Sequence, residues 1–167
     1  FAASSKFVDP LQGLREALAK PDGGRLICLT GQERFLIDRA VDLIKEALLQ
    51  PATRDFNYDQ LQAKESGVAR IVACARTLPM MAPRRLVLVR DVGALSANDL
   101  AGLVDYVQAP APETCLVLLA EDADLRTKFY LTFQKHGLLL KLTPLPEKQL
   151  PGFVESEAKR MKIGLEP

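Results

Sequence analysis

Histidine occurs once in this sequence of 167 residues and cysteine three times, and those two scarcities remove much of the chemistry a chain of this size can carry. A Ser-His-Asp set needs a histidine placed as a base, and the lone His136 stands between Lys135 and Gly137, where a helix end calls for a polar residue. A zinc site needs several Cys or His donors together. Cys28, Cys74 and Cys115 are far apart in apolar sequence, so they read as small buried side chains rather than metal ligands or disulfide partners. An excess of one charge is also missing: 22 Lys and Arg against 21 Asp and Glu leave a net +1, so no global field draws the chain onto nucleic acid or an anionic membrane. The basic residues Arg15, Lys20, Arg25, Lys45 and Arg54 are scattered rather than striped, which argues against strong independent DNA binding. No apolar run approaches the roughly 20 residues of a spanning helix, and the first residues lack the charged-then-apolar order of a secretory signal. The expected location is the cytoplasm. Residue 1 is Phe rather than Met, and residues 1–6 read as the poorly ordered end of a processed or excised chain.

What the chain does have is an alternation of strand and helix signals. Asp9-Pro10 followed by Leu11, Leu14 and Leu18 predicts a capped helix, and residues 20–24 a turn. Residues 25–30 form a short apolar run of the kind expected for a parallel strand covered on both faces. Gly31 follows, then a long helix marked by Phe35, Leu36, Ala40, Val41, Ile44 and Leu48. Residues 55–61 alternate apolar with polar, predicting a half-buried edge strand, and Val68, Ile71, Val72 and Ala75 stripe the next helix. Residues 86–89 and 115–120 read as buried strands and 138–142 as a fifth. Between them fall a helix capped by Ser96 or Asn98, running through Leu100, Leu103, Val104 and Val107, and a helix over 125–135 closed by Gly137, with Phe129, Tyr130 and Phe133 inward. Five strands alternating with helices predict a three-layer α/β domain with a parallel sheet over residues 1–145. Pro144 and Pro146 make a stiff break, and residues 146–167 read as the start of a second, helical unit whose first helix carries Leu150, Phe153, Val154, Ala158 and Met161.

Strand, glycine turn and helix at residues 25–48 are how a phosphate-binding unit begins. A nucleoside triphosphatase needs a second glycine, a lysine and a hydroxyl at fixed spacing from the first glycine. Counted from Gly31, those places hold Leu36, Ile37 and Asp38, while Glu33 and Asp38 add negative charge where a phosphate would lie. Arg90-Asp91 after the third strand offers one acid where an active ATPase has a pair. Asp122 and Asp124 share a loop, where paired acids are usually solvated. No catalytic residue, cofactor or metal is therefore expected.

Residues 76–91 join a helix end to the most strand-like run in the chain. Pro79 and Pro83 bar a helix there, so Met80 and Met81 are expected on a short constrained projection. Methionines are commonly gap-fillers in a core, but adjacent residues cannot both point at one core, and a pair at a surface turn suits an adaptable hydrophobic anchor for a partner.

Gly31-Gln32-Glu33 followed by Phe35-Leu36-Ile37, then Phe56-Asn57-Tyr58, then Leu78-Pro79-Met80-Met81 running into Arg84-Arg85 and the strand through Asp91, together resemble the delta subunit of the bacterial DNA polymerase III clamp loader. The resemblance runs over nearly the whole chain. It implies an AAA+ (P-loop NTPase type) core with a degenerate nucleotide loop at Gly31, Gln32 and Glu33, followed by a lid and a helical oligomerisation domain. It also implies a non-catalytic subunit of the polymerase holoenzyme in the nucleoid-associated replisome of a bacterial cytoplasm. Such a subunit binds and opens the beta sliding clamp through a hydrophobic wedge without hydrolysing ATP. By position the wedge is Met80 and Met81, with Leu78 and Pro79 setting the turn and Arg84 and Arg85 either at the rim or simply solvated; methionine departs from the family's usual aromatic. The implied partners are the clamp and the delta prime and gamma/tau subunits, the latter through later parts of the chain, with DNA contacted only by the assembled loader and no membrane. Two other readings stay open: another catalytically silent AAA+-like interaction module, with both methionines in the core, and a P-loop nucleotide-binding enzyme.

Overall fold

The computed structural model describes residues 8–21 and 23–162, and the readings made for residues 1–6, for Asp22 in its turn and for residues 163–167 lie outside them. The five strands are β1 (Leu26–Thr30), β2 (Tyr58–Gln62), β3 (Arg85–Arg90), β4 (Thr114–Ala120) and β5 (Leu138–Lys141). They form one sheet in the order β2-β3-β4-β1-β5, every neighbouring pair parallel. Helices α1 (Gln12–Ala19), α2 (Arg34–Leu48), α3 (Ala63–Arg76), α4 (Ala97–Ala101), α5 (Val104–Gln108), α6 (Lys128–His136) and α7 (Leu150–Arg160) supply the other two layers.

The apolar runs are explained by the two-residue period of a strand. Leu26 and Cys28 of β1, Val87 and Val89 of β3, and Leu116 and Leu118 of β4 point to the face covered by α3, α5 and α6. Ile27 and Leu29, Leu86 and Leu88, and Cys115, Val117 and Leu119 point to the face covered by α1 and α2. A strand buried on both faces takes apolar side chains at successive positions, and polar ones (Thr30, Arg85, Thr114) only at its ends, which is why these segments do not alternate. Phe129, Tyr130 and Phe133 turn inward as expected. Cys28 and Cys115 are fully buried, and burial pushes both thiols up to about 12, so both are protonated and unreactive at neutral pH; Cys74 is half-buried.

Local turn chemistry moves several boundaries. The edge strand begins at Tyr58, not at residue 55, because Pro51 opens a 3-10 turn running to Phe56. The helix expected through Leu100 and Val107 is two short helices, α4 and α5, divided at Gly102 and Leu103. The Ser96 hydroxyl and the Asp99 carboxylate form a reciprocal cap on α4. Residues 125–127 are a turn held by the Thr127 amide on the Asp124 carbonyl, so α6 starts at Lys128. Gly137 does end α6, but in extended rather than left-handed conformation. Its value is space, since a Cβ there would stand 2.5 Å from the Leu26 Cβ.

The last helix is docked on the α/β domain. Phe153 is buried in the α1/α2 layer and meets Phe35 edge-on with ring centroids 5.8 Å apart. Beside it Glu157, only 4% exposed, accepts hydrogen bonds from the Arg15 Nη2 of α1 at 2.9 Å, from Arg39 of α2, and from its own helix's Arg160 at 3.0 Å. Asp9 completes the cluster by accepting from Arg15 and Arg160. One buried carboxylate thus joins three helices.

Candidate functional site

In a parallel sheet the loops divide between two ends, and the two candidate regions fall on opposite ones. The loop between α3 and β3 lies where the strands begin; the loop after β1 lies where they end. The six residues of β3 put roughly 20 Å between them.

At the first end, α3 stops at Thr77, whose hydroxyl donates to the Ala73 carbonyl at 2.8 Å while its backbone turns extended ahead of Pro79. The chain then projects into solvent: Leu78 is 70%, Met80 56% and Met81 90% exposed. Neither methionine is core. Met81 also holds a left-handed backbone, φ 53°, a conformation that long side chains seldom adopt. The loop is nonetheless well anchored. The Asn57 side chain, 1% exposed, accepts from the Met80 amide at 2.6 Å and donates to the Met80 carbonyl at 2.8 Å, and also donates to the Thr53 carbonyl at 3.0 Å. A buried amide that grips both polar groups of one residue holds it as a strand partner does.

Arg84, half-buried, and Arg85, buried, are both bonded to the domain's own acceptors. Arg84 donates to the carbonyls of Gly23, Gly24 and Glu113 at 3.1 to 3.4 Å. Arg85 is buried, donates to the Phe56 carbonyl at 3.0 Å and forms an ion pair with Asp59. Entry of β3 between two neighbouring strands draws both guanidinium groups onto carbonyls and a carboxylate that the sheet brings close, which sequence spacing alone does not show. Among the scattered cations, Arg15 sits in the Glu157 cluster and Lys45 lies over the Tyr58 ring at 4.7 Å.

At the other end, the residues after β1 do not fit a magnesium triphosphate. Gly31 has φ 116°, but its amide donates to the Glu121 carbonyl at 3.3 Å, and a Cβ on it would lie 2.0 Å from the Leu142 carbonyl oxygen. This glycine makes room for Leu142, the residue after β5. Gln32 reaches across to Asp122 at 3.2 Å, Leu36 is buried, and Glu33 precedes the first turn of α2. The adjoining cavity of about 280 Å³ is lined by Gly31, Ile37 and Asp38 with the acids Asp91 and Glu121, against Arg34 and Arg90. Its volume sits at the small end for ligand pockets, and its carboxylates oppose an anion. Asp124 is held in an ion pair with Arg126 on the surface. Among the described residues no group of His, Cys, Asp and Glu is placed to hold a metal, and no helix is long and apolar enough to cross a membrane.

Asn57 and Phe56 both stand in the Phe56-Asn57-Tyr58 motif, which by itself assigns neither a role; Phe56 is 60% exposed and Asn57 is buried. An asparagine ahead of an edge strand was the available signal, since that side chain readily bonds nearby backbone.

A family model described as the DNA polymerase III delta subunit matches residues 27–143. The DNA polymerase III subunit delta of Bacillus subtilis (strain 168) is 30% identical over 154 residues, 86% of this chain and 44% of that protein. The structure of the Bacillus subtilis DNA clamp loader delta protein superposes with a TM-score of 0.75 at 29% identity, covering 89% of this chain and 47% of the other. The present chain therefore spans about half the length of these relatives. A DNA polymerase III gamma subunit-related protein and a RuvB variant, both of Thermotoga maritima, match with TM-scores of 0.61 and 0.60 at 14% and 16% identity. At that identity they show a shared fold alone, the five-stranded AAA+ type of α/β sheet.

Proposed function

Since the chain belongs to the DNA polymerase III delta subunit family, we propose that it is the clamp-contacting part of a clamp loader, binding the beta sliding clamp through Met80 and Met81 and favouring its opening without hydrolysing ATP. The observation that carries this reading is the exposure of two adjacent methionines on a projection whose backbone a buried asparagine holds. Exposed apolar side chains on a rigid turn lose little entropy on entering a pocket, which is how a small contact becomes a strong one. Leu78 and Pro79 set the approach to the turn. Binding that is tighter to a ring with one loosened interface shifts the clamp toward that state, a population shift that needs no chemistry in this subunit. Nucleotide is handled by the gamma/tau subunits, and these and delta prime are met through later parts of the chain, beginning with the lid that residue 146 opens. DNA is contacted by the assembled loader, in the cytoplasmic replisome.

Titration calorimetry of this chain against the clamp of the same source tests the proposal: a saturable isotherm supports it, and none from folded protein removes it. The silent-nucleotide part has its own check. Mg-ATP at millimolar concentration is expected to leave the melting temperature unchanged, whereas a ligand at about 100 times its Kd stabilises the native state by roughly 2.7 kcal/mol. An upward shift of several degrees shows that nucleotide still binds, and phosphate release from ATP by the purified chain rejects that part.

A further inference from the structure

We propose that Asn57 is a positioning residue for the Met80–Met81 projection, and that the exposed ring of Phe56 is a further contact in the same clamp-binding surface, supplying an aromatic that the methionine pair lacks. This rests on the function proposed above, but it concerns residues on a different segment, the turn that precedes the edge strand.

Asn57 makes one connection between two parts of the chain 23 positions apart. Its side chain closes on the Met80 amide at 2.6 Å and the Met80 carbonyl at 2.8 Å, and its own carbonyl accepts from the Leu86 amide at 2.8 Å, where β3 begins. The start of β2, the projection and the start of β3 are therefore tied at one residue. Phe56 is the next residue along the backbone, so its Cα lies about 3.8 Å from that of Asn57. It is itself fixed, because Arg85 donates to its carbonyl at 3.0 Å and the Arg85 guanidinium is anchored on Asp59. Phe56 has no core to enter: its ring remains 60% exposed on a domain with two well-filled cores. Leu78, Met80, Met81 and Phe56 thus bring four large exposed apolar side chains to one end of the sheet from two tied segments. Methionine adapts to a pocket, whereas an aromatic ring brings rigid area at low entropic cost, so the two kinds of side chain divide the work of a hot spot.

Two measurements separate this inference from the reading beneath it. Phe56→Ala is expected to weaken clamp binding roughly tenfold, the size of a hot-spot residue's loss, with the melting temperature unchanged, and Phe56→Leu to recover part of it. If wild type binds and the Met80→Ala, Met81→Ala variant does not, yet Phe56→Ala binds as wild type does, Phe56 lies outside the surface. Absence of wild-type binding removes the clamp reading and the Phe56 contact together. Amide exchange decides on Asn57 without any clamp. In Asn57→Ala the Met80 amide is expected to exchange at least roughly tenfold faster while Val87 and Leu88 in β3 keep their protection. Unchanged Met80 exchange in the folded variant overturns the positioning role. Should Asn57→Ala fail to fold, Asn57→Asp has the same shape but loses both donated bonds. Weakened clamp binding by this folded variant then supports the role, and wild-type affinity overturns it.

Discussion

Replacing Met80 and Met81 together by alanine is expected to reduce clamp affinity by roughly 2 kcal/mol or more, the threshold of a hot spot and about thirtyfold in Kd. The protein's own stability should hardly change, because both side chains stand in solvent and surface substitutions usually stay within about 0.5 kcal/mol. That combination distinguishes a contact from a core role, since removal of a buried methionine costs the fold about 2 to 5 kcal/mol. Calorimetric titration gives the first quantity and a denaturant midpoint the second. Met81→Gly sharpens the comparison. At φ 53° a glycine relieves the left-handed conformation, so this variant is expected to melt slightly higher while binding less well. Full clamp affinity in the double alanine variant places the contact elsewhere on the chain.

Glu157→Ala is expected to be strongly destabilising, costing about 3 kcal/mol by urea unfolding, the low end for breaking a buried charge pair. The carboxylate is nearly inaccessible and satisfies guanidinium groups from α1 and α2 as well as α7, so its removal leaves Arg15 and Arg39 without their shared acceptor and frees the docked helix. Loss of less than 1 kcal/mol shows that solvent screens the cluster more than its burial indicates. The same cluster predicts an acid limb. Burial alone pushes the Asp9 carboxyl up, but the Leu11 amide and the Arg15 guanidinium outweigh it and hold its pKa below the ordinary 3.8. A depressed folded pKa contributes stability that is present above the unfolded value and lost as pH falls through the folded one. Docking of α7 should therefore weaken below about pH 4, and Asp9→Asn should flatten that part of the stability profile.

The strands were legible where burial dominates. β1, β3 and β4 are buried on both faces, so their apolar runs carry the signal without help from neighbours. Boundaries failed where a short-range bond decides the backbone. Residues 55–57 alternate like a strand, yet Pro51 starts a 3-10 turn and the Asn57 side chain turns to Met80. The bonds of Arg84 and Arg85 were not legible for a related reason: each finds carbonyl or carboxylate acceptors on segments distant in sequence, Arg84 at Gly23, Gly24 and Glu113, Arg85 at Phe56 and Asp59. The missing lysine and hydroxyl after Gly31 are plain in the sequence, but the closeness of Leu142, just past β5, to Gly31 is not.

The sequence by itself determined that the chain builds a parallel α/β domain, that its first loop lacks the groups for a triphosphate, and that two methionines between two prolines could not both enter one core. Each follows from covalent geometry, side-chain period or residue type, which are local properties. Only the tertiary structure decided that Asn57 grips the projection, that Phe56 next to it in the chain stays exposed, that both arginines bond to distant segments, and that Glu157 joins α7 to α1 and α2. Those are pairings between segments 23 to 142 positions apart, and a hydrogen bond depends on where its partner stands in space rather than on its place in the chain.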